Sequence, residues 1–461
     1  MEPILVSKIV HFLEGNILSG SENWYVRHAA VYGRQDIKGA NTLVFLYKRD
    51  EPDWDFLKKV SPCAVITDKS EKKLKDINDQ ITVIHVKSVV QAYWKFIEYY
   101  RNLFNIPVVA ITGTCGKSTT KEMIKQILNQ DRLVQATESS KNEPRRSFPY
   151  LLGINRKTKA AVFETGLGNP GNIKHQCLIY SPTIGILTTI GAHHLDGCKT
   201  LEGYIQAKGE IIEGVREGGT LILNSDDENI KKLSLKQFNG KVVYFGVHPS
   251  ADYQATNIKF SNNGMTFDLQ HNKKSYPVFV PGYGEHQVYN ALAAIAAVHA
   301  MGLDIKDASR RLKTFKNMER HLEVSSGING STIIDDTWTI NPTSIEAALN
   351  VMDEISKNKK KIVLLGNINR LGDYEIEFHQ KVGSMVASRD IHTLITIGEK
   401  ATEIAKQAHL ENFKGNIFMF NKVEKNVKEI LLEELDSDTH LLIKGPMSSR
   451  SMIDLARSLK L

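Results

Sequence analysis

Short apolar runs alternate with helix-like segments along the whole chain, and this alternation predicts its domains. In residues 1–105, the runs at 42–47, 63–67 and 81–86 predict buried strands, because each is short, continuous and mostly apolar. Segment 89–104 carries apolar residues at helical spacing and predicts a helix, in which Trp94 is a core residue rather than part of a binding surface. Residues 1–105 are therefore predicted to form a small N-terminal α/β domain.

Residues 106–315 predict a central domain in which polar residues follow the strands. The apolar runs at 107–111, 160–164 and 183–190 lead to a glycine-containing loop, to Glu164, and to His193 and His194. In open α/β sheets ligands bind beyond the carboxyl ends of the strands, so we expect these ends to surround one crevice. Further predictions are strands at 218–224, 242–245 and within 257–269, followed by a buried helix at 291–301.

Residues 316–461 alternate predicted strands with helical segments. This order predicts a doubly wound, Rossmann-like parallel sheet, although no Gly-x-Gly-x-x-Gly motif follows the first strand. The predicted fold is thus α/β with three domains, the central one having a mostly parallel sheet. The strands predicted in the third domain are 331–334, 361–365, 393–397, 416–420 and 440–443.

The segment Gly-Thr-Cys-Gly-Lys-Ser-Thr at 113–119 joins a predicted strand to a predicted helix at 121–128. Gly113 and Gly116 allow the backbone to turn tightly, and the free N–H groups at a helix start attract anions. Lys117 adds a cation for the β- and γ-phosphates, and the Ser118 hydroxyl can reach Mg²⁺. An ordinary strand-to-helix turn is the alternative, but Gly-Lys-Ser-Thr at a helix start favours nucleotide binding.

Three other polar residues are candidates for the same crevice. Glu164 ends an apolar strand, which favours a metal or phosphate role over a surface carboxylate. His194 is the stronger candidate of the His193–His194 pair, with a structural histidine as the alternative. Lys208 falls on an apolar helical stripe within 201–215, where a lysine usually extends outward to solvent. Here it would point back to the same sheet edge.

Composition narrows the functional classes. A chain of 461 residues is too long to form a single hydrophobic core. Its content of 41% hydrophobic and 24% charged residues is ordinary for a globular protein. The net charge of +7 is dispersed, which fits an anionic small molecule and lacks the basic block typical of nucleic-acid binding. The four cysteines have no metal spacing, and no stretch resembles a membrane span or signal peptide. We expect a cytoplasmic protein that binds neither nucleic acid nor membrane.

Six motifs, in order over residues 113–342, resemble those of the Mur ligase family of three-domain, ATP-dependent amide ligases. Together they are specific, although each alone is not. The resemblance spans about residues 25–461 and implies that the N-terminal domain, residues 1–105, binds substrate. The motifs are Gly-Thr-Cys-Gly-Lys-Ser at 113–118, Glu-Thr-Gly at 164–166 with Gly-Asn-Ile at 171–173, His-Leu-Asp-Gly-Cys at 194–198, Ala-Lys-Gly-Glu-Ile at 207–211, Gly-Glu-His-Gln-Val-Tyr-Asn-Ala at 284–291, and Asp-Asp-Thr-Trp-Thr-Ile-Asn-Pro at 335–342.

The resemblance implies an ATP site with two Mg²⁺ ions. Ser118 and Glu164 would hold one ion, and His194 with Lys208 the second. In the family this lysine is carbamylated, which turns a cation into an anionic ligand and would explain the inward position of Lys208. The implied catalytic residues are Lys117, Glu164, His194 and Lys208. The implied ATP-binding residues are Gly113, Thr114, Cys115, Gly116, Lys117, Ser118, Thr119, Gln287, Asn290, Arg320 and Asp336.

The implied reaction joins a carboxylate to an amine through an acyl phosphate, but the substrate motifs depart from the family. The loop 140–146 gains Lys141, Arg145 and Arg146, and acidic positions in 366–372 become Asn367 and Arg370. We hypothesise a monomeric paralogue with altered small-molecule substrates. For the substrates, the alternative is the family's peptidoglycan precursors. For the added loop charges, the alternative is that they are solvated and bind no ligand. For the function, the alternatives are a small-molecule kinase and a nucleotide-binding regulator without turnover. Candidate substrate residues are Arg34, Asn142, Arg145, Arg146, Asn341, Lys444 and Arg450.

Overall fold

The computed structural model describes residues 1–70, 74, 80–261 and 263–461. These residues form three main sheets of five, nine and six strands, each packed against helices. The α/β fold with three domains is therefore confirmed, and the predicted boundaries near residues 105 and 315 stay predictions. Within the described ranges, no helix combines the length and the apolar character needed to cross a lipid bilayer.

The N-terminal domain is built on a mostly parallel five-stranded sheet. Its elements are β1 (Ile4–Leu5), α1 (Val6–Leu13), β2 (Asn16–Ser19), β3 (Tyr25–Val26), β4 (His28–Val31), β5 (Thr42–Leu46), α2 (Trp54–Lys59), β6 (Cys63–Thr67), β7 (Ile81–His85) and α3 (Val89–Asn102). The strand order is β2-β7-β6-β5-β4, with only the edge pair β2–β7 antiparallel. Strands β5 and β6 are buried at every residue, as their continuous apolar runs predict for strands covered on both faces.

The central domain carries the nine-stranded sheet. Its elements are β8 (Val108–Thr112), α4 (Lys117–Leu128), β9 (Leu133–Ala136), α5 (Ser147–Leu152), β10 (Thr158–Glu164), α6 (Asn172–Tyr180), β11 (Ile184–Leu187), α7 (Leu195–Cys198), α8 (Leu201–Gly214), β12 (Thr220–Asn224), β13 (Lys241–Gly246), β14 (Tyr253–Ser261), β15 (Gly264–His271), β16 (Lys274–Pro281), α9 (Glu285–Ala300) and α10 (Ile305–Leu312).

The order of these strands explains why polar residues meet at one edge. It is β16-β15-β14-β13-β12-β11-β8-β10-β9, and β8 is parallel to both of its neighbours. Glu164 at the end of β10 aligns with Ile111 of β8, and Leu187 of β11 aligns with Thr112. Three polar strand ends therefore lie side by side, as expected. Strands β14 to β16 form an antiparallel extension at the far edge of the sheet.

The third domain has a six-stranded sheet in the order β17-β18-β22-β19-β20-β21. Five strands are parallel, and β17 pairs antiparallel at the edge. Its elements are β17 (Glu323–Ser326), β18 (Thr332–Asp336), α11 (Pro342–Ile355), β19 (Lys360–Gly366), α12 (Glu375–Ala387), β20 (Thr393–Ile397), α13 (Thr402–Leu410), β21 (Asn416–Phe420), α14 (Lys425–Glu434), β22 (Thr439–Lys444) and α15 (Arg450–Leu459).

Several predicted element bounds differ from the structure. Helix α4 begins at Lys117 rather than residue 121, because Gly116 serves as its N-cap with φ of 83°. Helix α9 begins at Glu285 rather than 291, so Gln287 and Asn290 lie on its first two turns. Asp336 ends β18 instead of following it, because pairing with β22 continues to this residue. Strand β17 was not predicted, since its polar residues carry no apolar pattern.

The third domain is docked against the central domain. The backbone N–H of Leu195 donates to the carbonyl of Arg370 at 2.8 Å, and the Arg370 guanidinium pairs with Asp196 at 3.1 Å. At a second contact, a Cβ placed on Gly191 would lie 1.9 Å from Oγ1 of Thr343. A side chain larger than hydrogen at this position would therefore push the domains apart.

Candidate active site

A cavity of about 660 Å³ lies where the carboxyl edge of the central sheet faces the third domain. It contains the whole 113–119 loop and residues that follow neighbouring strands. From the central domain it is lined by Asn142, Glu164, His193, His194, Lys208, Asn224, Asp226, His286, Gln287, Tyr289 and Asn290, and from the other side by His321, Asp336, Trp338 and Arg370, among others. The expectation of one crevice surrounded by strand ends is met.

The 113–119 loop turns where its glycines permit. Gly113 and Gly116 have φ of 145° and 83°, values that side-chain-bearing residues rarely adopt. A Cβ on Gly116 would lie 2.4 Å from Oδ1 of Asn290, so the close packing of α9 also requires glycine. The Lys117 ammonium donates to the carbonyls of Gly113 and Thr114 at 2.9 and 3.0 Å. Burial lowers the pKa of Lys117, and the Glu164 charge opposes this shift.

Ser118 and Glu164 meet directly. Glu164 is fully buried, and its Oε2 accepts hydrogen bonds from Oγ of Ser118 at 3.1 Å and Nδ2 of Asn142 at 3.2 Å. Its other oxygen, Oε1, lies 3.3 Å from Nζ of Lys121. The structure thus places a hydroxyl and a carboxylate together at the start of α4, where the helix dipole favours negative charge.

Lys208 is buried without a carboxylate partner among the described residues. Its Nζ donates to Oγ1 of Thr112 at 3.1 Å and lies 5.4 Å from the centre of the Tyr204 ring. Burial, together with the nearby Lys117 charge, lowers the pKa of Lys208 well below its usual value. Burial therefore makes the neutral amine, which is the nucleophilic form, more accessible than in a solvent-exposed lysine.

Two histidines line the same cavity. Burial lowers the pKa of His193 to about 3 and that of His194 further, so both rings are neutral near pH 7. His194 has φ of 52°, in the left-handed region, and its Nδ1 is buried without a hydrogen-bond partner in the described part of the chain. A buried, unpaired ring nitrogen is unusual, which marks His194 as a ligand candidate.

Hydrogen bonds connect the third domain to the 113–119 loop. Nε1 of Trp338 donates to Oγ of Ser140 at 3.2 Å, and Ser140 lies 2.9 Å from Oγ of Ser118. At a separate point, Sγ of Cys115 donates to Oδ1 of Asn341 at 3.4 Å, a weak contact. Two successive hydrogen bonds therefore connect Trp338 of the third domain to the Ser118 hydroxyl beside Glu164.

Trp338 is held from both directions by neighbouring side chains. The Arg320 guanidinium lies 4.6 Å from the centre of the Trp338 ring, and His321 stacks on the ring at 5.1 Å with 29° between planes. Lys444 is fully buried, forms an ion pair with Asp336 and donates to the carbonyl of Thr339 at 3.0 Å. These contacts hold the cavity-facing side of the third domain.

Some predicted residues do not line the cavity. Arg320 reaches it only through Trp338, and Asn341 is the N-cap of α11, accepting from the Ser344 N–H at 2.9 Å. Arg146 is outside the cavity lining and pairs at 2.7 Å with Glu143, which belongs to the lining. The other predicted residues outside the lining are Arg34, whose guanidinium lies over the Tyr47 ring, Arg145, Lys444 and Arg450.

Of the two implied Mg²⁺ positions, the one beside Ser118 and Glu164 fits the ion more directly than the one beside His194 and Lys208. A serine hydroxyl and a carboxylate are hard oxygen donors, and Mg²⁺ usually takes one or two protein carboxylates plus water and phosphate oxygens. Ser118 and Glu164 meet this description. No group of three or more His, Cys, Asp or Glu ligands occurs in the described residues. An unmodified Lys208 offers only nitrogen, so the second position fits only if this lysine carries a carboxylate.

Several cavity residues were missed by sequence reasoning. His286 and Tyr289 lie inside the motif at 284–291, and Trp338 lies inside the motif at 335–342, but the resemblance assigns none of them a role in the site. Asp226 comes two residues after the end of β12, a strand-end position like that of Trp338, and His321 follows no recognisable pattern. Burial lowers the pKa of His286 to about 4. The signal that could have identified Trp338 was its position two residues beyond Asp336, the end of a strand that faces the same crevice.

Fold and site together define a P-loop nucleotide-binding enzyme whose third domain faces the phosphate site. The family model for the Mur ligase middle domain matches residues 111–298, and that for the Mur ligase, glutamate ligase domain matches 320–447. The chain belongs to the Mur ligase family. It is an ATP-dependent ligase of the MurF type, and the predicted family and enzyme class are confirmed.

Relatives named for the MurF activity resemble the chain over most of their length. The UDP-N-acetylmuramoyl-tripeptide–D-alanyl-D-alanine ligase of Bacillus subtilis is 28% identical over 363 residues, covering 79% of this chain and 78% of that protein. The structure of MurF from Acinetobacter baumannii superposes with a TM-score of 0.82 at 22% identity, covering 99% of both chains. MurF ligase from Thermotoga maritima in complex with ADP gives 0.75 at 20% identity, covering 94% of this chain and 98% of that one.

Proposed function

We propose that this chain binds ATP, activates a substrate carboxylate as an acyl phosphate and joins it to an amine. The observation that carries the proposal is one cavity that unites the 113–119 loop, the Ser118–Glu164 pair and the buried Lys208 opposite the third domain. The same proposal includes two Mg²⁺ ions, which would supply charge neutralisation on the phosphates. Ser118 and Glu164 would hold one, and His194 with carbamylated Lys208 the other.

Carbamylation is chemically reasonable at Lys208. The neutral Nζ would attack CO₂, forming an N–C bond and releasing one proton, which leaves an anionic carbamate. Burial lowers the pKa of Lys208, which makes its lone pair more available than that of an exposed lysine, and no carboxylate of the described residues forms an ion pair with its Nζ. The product would replace a buried amine with an anionic ligand that has oxygen donors.

The transfer chemistry needs no protein nucleophile. A substrate carboxylate oxygen attacks the γ-phosphorus, ADP leaves, and an amine then attacks the acyl carbon and displaces inorganic phosphate. The loop amides and Lys117 would orient the phosphates and offset developing charge. His193 and His194 are neutral at pH 7, so they would add no positive charge beside those phosphates, and Lys117 would supply it. The docked third domain would exclude water, which otherwise hydrolyses an acyl phosphate.

The substrates are the open part of the proposal. The Bacillus subtilis relative is named for UDP-N-acetylmuramoyl-tripeptide and D-alanyl-D-alanine, so these form the first pair to test. We retain altered pockets as the hypothesis for this chain, because Arg370 and Asn367 stand at positions that are acidic in the family. The ion pairs of Lys141 with Glu138 and of Arg146 with Glu143 support solvated loop charges over an anion site.

The deciding experiment measures phosphate release by the full chain with ATP and Mg²⁺, over paired panels of carboxylates and amines. Products are then identified by mass. We expect release that requires both an acid and an amine, and an amide product. A Lys117→Met variant is the matched negative control. Nucleotide binding without release for any pair would favour a regulator, and efficient use of the peptidoglycan pair would refute altered pockets. Sedimentation tests the predicted monomer.

A further inference from the structure

Lys121 is a fully buried cation to which the proposed reaction assigns no role. It lies on α4, one helical turn beyond Lys117, and is 0% exposed. Its Nζ donates to the carbonyls of Thr137 at 2.9 Å and Ser139 at 2.5 Å. Lys121 is absent from the cavity lining, so it has no direct contact with a nucleotide bound there.

The same ammonium faces two carboxylates. It lies 2.9 Å from Oε1 of Glu122 and 3.3 Å from Oε1 of Glu164. Oε1 of Glu164 is buried and has no hydrogen-bond partner in the described residues, so the ion pair compensates its charge on that side. A buried carboxylate without such compensation is strongly unfavourable.

The two oxygens of Glu164 therefore have different surroundings. Oε1 is held by Lys121, whereas Oε2 accepts from Ser118 and Asn142 on the loop side. Rotation of the carboxylate out of its present plane would lengthen both sets of contacts at once. Lys121 thus selects the orientation in which one oxygen stays beside the Ser118 hydroxyl.

Lys121 also fixes the loop that completes this arrangement. The carbonyls that it binds belong to Thr137 and Ser139, and the next residues of the same segment include Ser140 and Asn142. Ser140 contacts Ser118, and Asn142 contacts Glu164. One buried ammonium therefore holds both the carboxylate and the loop that contacts it.

We propose that Lys121 is a positioning residue that orients Glu164 and the 137–142 loop for Mg²⁺-dependent nucleotide binding. The inference rests on the proposed function, since it takes Glu164 as a metal ligand. Residues that orient metal ligands typically change metal affinity or activity by about 10- to 100-fold when replaced. Because Lys121 does not line the cavity, its loss should affect binding only when the metal is present.

The test compares binding of a fluorescent ADP analogue in EDTA and in Mg²⁺, using the full chain. The Mg²⁺-dependent gain is the ratio of the affinity for the analogue in Mg²⁺ to the affinity in EDTA. For Lys121→Met we expect an affinity in EDTA within about twofold of that of the unmodified protein, and a gain that is at least about tenfold smaller. Lys121→Arg should recover part of that gain. Lys125→Met is the matched control, because Lys125 also pairs with Glu122 but is on the partly exposed part of α4.

Lys121→Gln provides a second neutral variant if Lys121→Met does not fold, because its amide can still donate to the loop carbonyls. A neutral variant that retains the full Mg²⁺-dependent gain would overturn the inference, even if it melted at a lower temperature. If the unmodified protein showed no Mg²⁺-dependent gain, the metal role proposed for Glu164 would itself be refuted. Loss of the gain in Lys125→Met as well would point to a nonspecific effect and reject the role of Lys121.

Discussion

Replacing Trp338 by Phe should weaken the connection between the third domain and the phosphate site. The substitution removes the Nε1 donor to Ser140 but keeps an aromatic ring between Arg320 and His321. One neutral hydrogen bond contributes about 0.5–1.5 kcal/mol net. If closure precedes chemistry, the ratio of closed to open molecules should fall about 2- to 12-fold, since about 1.4 kcal/mol corresponds to tenfold, and kcat should fall by up to the same factor.

The assay measures kcat for phosphate release and the Kd of a fluorescent ADP analogue in EDTA. We expect kcat to fall while the Kd stays nearly unchanged, because the phosphates are held by the 113–119 loop on the central domain. Trp94→Phe is the matched control, as Trp94 packs against the N-terminal core away from the cavity. Equal kcat values for the two variants would refute the argument. A Kd that rose in proportion to the loss of kcat would identify Trp338 as a nucleotide contact instead.

Three further predictions concern other charged or titratable groups. Lys208→Met should reduce kcat by about 100-fold, and ¹³C-bicarbonate should give a carbamate NMR signal only in the unmodified protein; full activity of the variant would exclude the carbamate. Neutralising either Arg370 or Asp196 should lower kcat by about 1.5- to 5-fold, whereas exchanging the two charges should restore kcat. In a double-mutant cycle, strictly multiplicative losses of kcat would show that the two residues are not coupled. The pKa of His286 is lowered to about 4 in the folded protein, so between pH 6.5 and 4 only the unfolded chain binds a proton at this residue. The contribution of neutral His286 to stability is therefore complete above pH 6.5. The free energy of unfolding should fall by about 2 kcal/mol from pH 7 to 5. His286→Gln should remove that part of the pH dependence in thermal melts, and an unchanged difference would contradict it.

The strands were predictable because parallel strands buried on both faces consist of continuous apolar runs. The runs at 42–47 and 63–67, for example, correspond to strands that are buried throughout. The phosphate loop was equally recognisable, since Gly113, Gly116 and Lys117 combine backbone freedom and charge at a strand-to-helix junction. Strand β17 escaped prediction because an edge strand with polar residues has no such pattern.

Contacts between segments distant in sequence were not predictable in the same way. The pair Arg370–Asp196 and the hydrogen bond from Trp338 to Ser140 join residues 174 and 198 positions apart. Such contacts depend on how one domain docks on another, and no local periodicity records that geometry. Lys121 is a related case, because its position on a helix predicts an ordinary surface lysine until the strand beside it supplies Glu164.

By itself the sequence determined the three α/β domains, the phosphate loop and the candidates Glu164, His194 and Lys208, because these features depend on local apolar patterning and on residue types at strand ends. Only the tertiary structure decided which of the candidates share a cavity, which loop cations are already paired, and how the third domain reaches the 113–119 loop. The physical reason is that burial and pairing of charges arise from packing of remote segments. A lysine such as Lys208 acquires its lowered pKa only when the fold has removed it from water.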